Sequence, residues 1–386
     1  MIKTLDISNF KSHLSTHVRF GKLTVFTGVN GSGKTAVMQS LLLLRQSFVN
    51  NRLMAGLDLN RPLCTIGTGQ DALCRHATKG VIEFNIETAD GDNMRFAYDA
   101  EKGLSDSFLN RCADQDDYPR PEELVVHPLF NNDFQYVGAS RWGGRSLFPK
   151  DTFAVEQQHQ ISQQEGQGEL VAHFLNKYGF EDVHDYCDGQ SEDKSLLAQT
   201  IYWERKISPN VTLQTQPAGN NSDSFVISYG YNPTETDGRA IDGLRAENIG
   251  FGISYSLPVI VALLAAPCGG LVLIENPEAH LHPAGQAEMA RLITRVAANG
   301  VQVVVETHSD HIITGLQLAC KANEKDDSKG ISRNDLIINF LNMGPRLSSM
   351  VHEIKMGEHG VFEHTPPGFF DQAEIDFRNL YGYGQD

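Results

Sequence analysis

The sequence has no run of about 18 apolar residues, so it offers nothing long enough for a membrane-spanning helix. Its opening, MIKTLDISNFKSH, lacks the apolar core of a secretory signal. Six cysteines, at 64, 74, 112, 187, 268 and 320, form no C-x-x-C pair. That excludes the usual zinc spacings and a disulfide framework, and points to reduced thiols in a cytoplasmic protein. No long heptad array is present, which excludes a coiled-coil arm, and no repeat of about 20–50 residues marks a solenoid. Basic residues are scarce: 32 Lys+Arg stand against 48 Asp+Glu, a net charge of −16. This balance argues against a protein that coats nucleic acid, while leaving room for a local basic patch.

What is present is enough apolar residue, 40% of 386, to build a sizeable core. The length suits two or three domains, or one domain with a large insertion. Charge is uneven. Residues 1–61 hold eight Lys/Arg and two Asp, a local +6, so the remainder carries −22. The basic stretch surrounds the strongest motif in the chain.

Ile2, Leu5 and Ile7 begin a strand, and Leu23–Thr27 is a β-rich run before a glycine-rich turn. Ala36–Phe48 reads as a helix. Val81–Ile86 and Met94–Tyr98 flank Asp90-Gly91, a hairpin signal. Phe134–Ala139 is strand-like. Residues 142–245 differ: a Gln-rich stretch, helices at Leu170–Tyr178 and Ser195–Ile207, and a hairpin from Val211–Gln216 and Phe225–Tyr229 around Gly219-Asn220-Asn221. After 246 the pattern is regular: helix 253–265, strand 271–275, helix 283–298, strand 301–306, helix 309–322, strand 336–341. Such alternation of apolar strands with helices means a parallel sheet covered on both faces. The expected division is 1–141, an inserted lobe at 142–245, 246–345, and an extension at 346–386.

Four stretches carry chemistry. Gly28-Val29-Asn30-Gly31-Ser32-Gly33-Lys34-Thr35 fits G-x-x-x-x-G-K-[ST], between an expected strand and an expected helix. Glycines let main-chain N–H groups converge on phosphate oxygens, and the helix start adds a positive dipole end. Lys34 would reach the β- and γ-phosphates and the Thr35 hydroxyl would bind Mg²⁺. Leu271–Ile274 ends in Glu275, a second metal-side candidate, followed by Asn276-Pro277-Glu278. Val301–Val305 leads through Glu306-Thr307 to His308, at the strand edge where ligands sit in parallel sheets. Gly250, Gly252 and Ser254 precede an apolar helix, a further start suited to an anion. Alone, each of the last three is an ordinary strand end or helix cap; in this order behind a phosphate loop they form a set.

Together these motifs resemble the ABC-type ATPases of the RecF/SMC/OLD group. They are similar in particular to bacterial ATPases with E-x-P-E-x-H-L-H-P, here Glu275 to Pro283, and P-x-G-F-F-D, here Pro366 to Asp371. Ile7–Ser12 and Tyr136–Arg141 resemble other strands of the group. The resemblance covers roughly 1–140 and 245–386. It implies an α/β ABC-type ATPase head, with a P-loop parallel sheet, an antiparallel N-terminal sheet and an inserted lobe.

The resemblance also implies a mechanism. Two heads pair head to tail around two ATP molecules. Gly250, Gly252 and Ser254 match the signature that meets the γ-phosphate held by the other copy. His280–Pro283 matches the segment facing that copy, and His308 the switch histidine. One departure stands out: the position after the strand-end acid, usually Glu, is Asn276, and an amide is no general base. Either hydrolysis is slow and the closed dimer is a switch, or Glu278 activates water. Gln70 is a weak candidate for the Q-loop residue. Relatives serve in DNA repair or anti-phage defence, often beside a nuclease. The 78 residues after His308 hold no Glu-Gly strand end with a later Asp-x-Asp, so no nuclease site is expected in this chain. The functional expectation is an ATP- and Mg²⁺-dependent homo-oligomer that controls a separately encoded effector. The alternative is a clamp acting directly on DNA. A transporter subunit ranks below both.

Overall fold

The computed structural model of the chain describes every residue except 114, 116, 185, 187–191, 221, 233–240 and 382–386, and all but the side chain of Glu374. Asn221 of the expected turn, and Cys187, therefore lie outside the described residues. The other five cysteines are free thiols.

Six strands form the central sheet, in the order Ser349–Ile354, Leu336–Met343, Leu23–Gly28, Gln302–Glu306, Leu271–Glu275, Phe134–Val137. The last five are parallel and Ser349–Ile354 runs antiparallel along one edge. Helices Phe251–Ala265, Pro283–Ala298 and Asp310–Lys325 alternate with the strands as the apolar pattern predicts. Side chains of successive strand residues enter opposite cores. Val272, Ile274, Val303 and Val305 face one; Leu271, Leu273, Val304 and Phe26 face the other.

The second core is closed by an antiparallel sheet, ordered His13–Arg19, Ile2–Phe10, Val81–Thr88, Asn93–Asp99. Helix Lys34–Val49 lies in that core with residues of both sheets, which is why its Leu41–Leu44 run is apolar on every side.

The first core reaches into residues 142–245. The expected hairpin is the middle of a larger sheet: Val211–Pro217 pairs Ser224–Tyr231, which also pairs Ile241–Arg245 and Leu147–Pro149. Trp203, Phe225 and Ile227 share one apolar cluster with Val272 and Ile274, so this lobe is packed onto the head. The segment after 345 is likewise built in. Its strand Ser349–Ile354 completes the central sheet, and Phe369 of the Pro366–Asp371 stretch is buried edge-on against Phe340 and Phe362. Among the described residues no helix is long and apolar enough to cross a membrane.

Candidate nucleotide site

Strand Leu23–Gly28 ends in a loop whose backbone is left-handed at Gly31 and Gly33, with φ 77° and 98°. Gly33 caps the following helix, and it is walled in. A Cβ there would lie 2.3 Å from Ser349 Oγ, 2.7 Å from Ser12 Oγ and 2.8 Å from His13 Nε2. Both conformation and space demand glycine. His13 is fully buried and bonds the Gly33 carbonyl through Nε2 (3.0 Å) and Thr16 Oγ1 through Nδ1 (3.0 Å). A carbonyl only accepts, so Nε2 carries the proton and Nδ1 accepts from Thr16. Burial holds this imidazole below its ordinary pKa.

The Lys34 ammonium folds back onto its own loop, donating to the main-chain oxygens of Gly28 (3.1 Å) and Val29 (2.9 Å). Ser32 Oγ is buried with no hydrogen-bond partner. An orphaned buried hydroxyl is costly, and a phosphate oxygen in the loop is a partner of the right chemistry. The residues present fit a nucleotide triphosphate.

Parallel register sets the strand ends side by side: Glu275 is paired with Glu306, and Glu306 with Phe26 two residues before Gly28. The Thr35 hydroxyl lies against both oxygens of Glu306, at 3.0 and 2.9 Å. Burial, then the charge of Glu275, pushes the Glu306 carboxyl up to about 7. Glu275 is buried, accepts from Tyr136 Oη (2.9 Å) and the Ala139 N–H (3.2 Å), and is raised by burial. Among the described residues no group of three or more His, Cys, Asp or Glu is arranged to hold a metal. A pair of carboxylates and a hydroxyl suits Mg²⁺, which takes its other oxygens from phosphate and water.

Arg141, at 3% exposure, fastens the turn beyond Glu275. Its guanidinium donates to the carbonyls of Gly138 (2.9 Å), Glu275 (2.6 Å), Asn276 (2.7 Å) and Tyr255 (3.1 Å). Asn276 is left-handed, φ 47°, and its N–H donates to the Glu306 carbonyl (2.8 Å). Glu278 Oε1 accepts from the His308 N–H (2.8 Å), while its Oε2 is buried without a partner. Partial burial, then the Lys34 charge, holds the exposed His308 imidazole below its ordinary pKa.

Gly250 caps helix Phe251–Ala265. Gly252 is required by packing: a Cβ would lie 2.8 Å from the His280 carbonyl oxygen. Ser254 is buried, accepting from the Gly144 N–H (2.9 Å) and donating to the Phe251 carbonyl (3.1 Å). Ser254 thus bonds the 142–144 turn and Gly252 packs on the 280 turn of their own chain, while Phe251 is exposed at 59% beside Gly250. Gln70 is exposed on the short helix Gly69–Ala72, away from any role the structure gives it.

The residues to which the sequence gives no site role are Glu306, Arg141, Tyr136, His13 and Ser349, the second and third of them the ends of the Tyr136–Arg141 stretch. Glu306 was visible as an acid two residues before His308. His13 and Ser349 reach the loop only through tertiary pairing.

Two family models match the chain: "AAA ATPase domain" over residues 1–102, and "AAA domain, putative AbiEii toxin, Type IV TA system" over residues 187–314. A curated relative, "OLD nuclease" of Thermus scotoductus, is 23% identical over 329 residues, 80% of this chain and 59% of that protein. The chain thus spans about three-fifths of the length of that relative. Among solved structures, the SmcHead bound to the C-winged helix domain of ScpA superposes with a TM-score of 0.51 at 16% identity, covering 92% of this chain and 98% of that one. The SMC head domain from Thermotoga maritima has a TM-score of 0.44 at 10% identity, over 92% and 99%. The fold likeness rests on the first of these. In its motifs and in its fold the chain resembles the ABC-type ATPases of the RecF/SMC/OLD-like group.

Proposed function

We propose that the chain binds ATP with Mg²⁺ between the Gly28–Thr35 loop and the strand ends at Glu275 and Glu306, and hydrolyses it. The observation that carries this reading is the convergence of Lys34, Thr35 and the orphaned Ser32 hydroxyl with two buried carboxylates on neighbouring strands. Main-chain N–H groups of Asn30, Gly31, Ser32 and Gly33 bind phosphate oxygens. Lys34 exchanges its two loop carbonyls for the β- and γ-phosphates. Thr35 and Glu275 hold the Mg²⁺, which when bound neutralises phosphate charge and polarises the terminal phosphoryl group. Glu278, with one oxygen fixed by the His308 N–H and one unpartnered, accepts the proton of the attacking water. Asn276 holds the turn through its backbone. His308 reports on the γ-phosphate.

Two copies pair head to tail, Gly250 and Gly252 of one meeting the nucleotide of the other, with Ser254 holding the turn that presents them. The exposed Phe251 beside these glycines supports a partner-facing surface. Nucleotide acts as the ligand that favours the closed pair, and its hydrolysis releases it. The output is control of a separately encoded effector, a nuclease, in anti-phage defence or DNA repair. No nuclease chemistry is assigned to this chain itself. Of the eight basic residues in 1–61, Lys3, Arg19, Lys22 and Arg52 are ion-paired and Arg45 is buried. Half of these basic residues are thus matched by acidic partners and a fifth is buried, which favours a protein effector over a clamp on DNA. Light scattering of the chain with Mg²⁺·ATP tests the pairing: a dimer formed only with nucleotide is expected, and a nucleotide-independent monomer contradicts it.

A further inference from the structure

We propose that Glu306 is the second carboxylate of the cation site, beside Glu275. The inference rests on the nucleotide reading above. Three observations and the valence of a hydroxyl carry it. Glu306 ends the strand between the loop strand and the Glu275 strand, so it sits nearer the loop than Glu275 does. Its carboxylate already accepts from Thr35 Oγ1, the hydroxyl expected to bind the metal through a lone pair. The Thr35 hydroxyl has one proton and two lone pairs, so it can serve Glu306 and a cation together. The Asn276 backbone is tied at its N–H to the Glu306 carbonyl and at its carbonyl to Arg141, which keeps both strand ends level.

Two buried carboxylates side by side repel when both are ionised, and Lys34 turns its charge to loop carbonyls rather than bonding either. A divalent cation between them removes that conflict and brings its own charge to bear on the site. In the absence of nucleotide, the Thr35 contact keeps Glu306 in place.

The test compares affinity for a fluorescent ATP analogue in Mg²⁺ and in EDTA, together with Mn²⁺ binding followed by electron paramagnetic resonance. Wild type and Glu306→Gln are used, with thermal unfolding as the check that both fold. Glu306→Gln keeps an amide oxygen to accept from Thr35. The expected result is unchanged or tighter analogue binding in EDTA, with a loss of roughly tenfold or more in the gain conferred by Mg²⁺ and in Mn²⁺ affinity. A variant that keeps the full Mg²⁺ gain, with or without lower thermal stability, overturns the proposal. A wild type that binds no analogue overturns the phosphate-loop reading, and the proposal with it.

Discussion

The Thr35 hydroxyl and the Glu306 carboxylate are joined at both oxygens, 3.0 and 2.9 Å apart, tying the first turn of the loop helix to the end of the neighbouring strand. Without it a mostly buried carboxyl loses a donor. Thr35→Val is expected to destabilise the nucleotide-free chain by about 1–3 kcal/mol, and Thr35→Ser by less. Urea unfolding measures it. Equal stabilities of Thr35→Val and wild type would show that the contact contributes nothing.

Arg141 donates to four carbonyls at 3% exposure. Burial brings its pKa down only to about 10, so it remains charged. Arg141→Met removes the donors and leaves those carbonyls short. A cost of about 3–5 kcal/mol is expected, and Arg141→Lys recovers little of it because one ammonium cannot match the planar fork. Chemical denaturation of the two variants checks this, and full recovery by Lys would contradict the fork geometry.

His13 gives the loop a pH dependence. Burial holds its folded pKa below the ordinary 6.5. The unfolded chain takes up a proton as pH falls through 6.5, while the folded chain resists until a lower pH. The contribution to stability is therefore present above 6.5 and lost as pH falls below it. His127, His159 and His173 act in the same direction, and the raised carboxyls of Glu306, Glu275 and Glu169 in the opposite one. The informative comparison is with His13→Gln, which can still donate to the Gly33 carbonyl. From about pH 7 to about pH 5.5, the melting temperature of wild type should fall further than that of the variant. A variant with the same slope or a steeper one would remove His13 as a source.

Much of this was legible in the sequence. The phosphate loop, the strand ending at Glu275 and the helix–strand alternation after 246 follow from local pattern, and their bounds agree within a few residues. Glu306 was passed over because an acid at a strand end is common, and only the parallel register shows it facing Thr35. His13, Ser12 and Ser349 are invisible as wall residues, since they meet Gly33 only through tertiary packing, from the start of strand His13–Arg19, the turn before it, and the edge strand Ser349–Ile354. The differing composition of residues 142–245 marks an inserted lobe. Its apolar residues nevertheless enter the head core, and composition does not tell which core a residue joins. The segment after 345 hid a central-sheet edge strand because its alternation is broken by Glu353 and His352.

Glu278 has one oxygen bonded to the His308 N–H and the other unpartnered. Glu278→Gln is expected to lower ATP turnover by about 10²-fold or more with ATP affinity little changed, whereas Asn276→Ala lowers it far less. Single-turnover kinetics separate binding from chemistry. If neither substitution changes turnover, the assignment of the base is wrong.

The central claim is that the Gly28–Thr35 loop holds the phosphates of ATP, with Lys34 moving from its two loop carbonyls onto them. The direct measurement is ATP binding with Mg²⁺ by isothermal titration calorimetry, in wild type and in Lys34→Ala. The account predicts binding by the wild type and none detectable by the variant, with the variant's fold intact by circular dichroism. Equal binding by the two would contradict it.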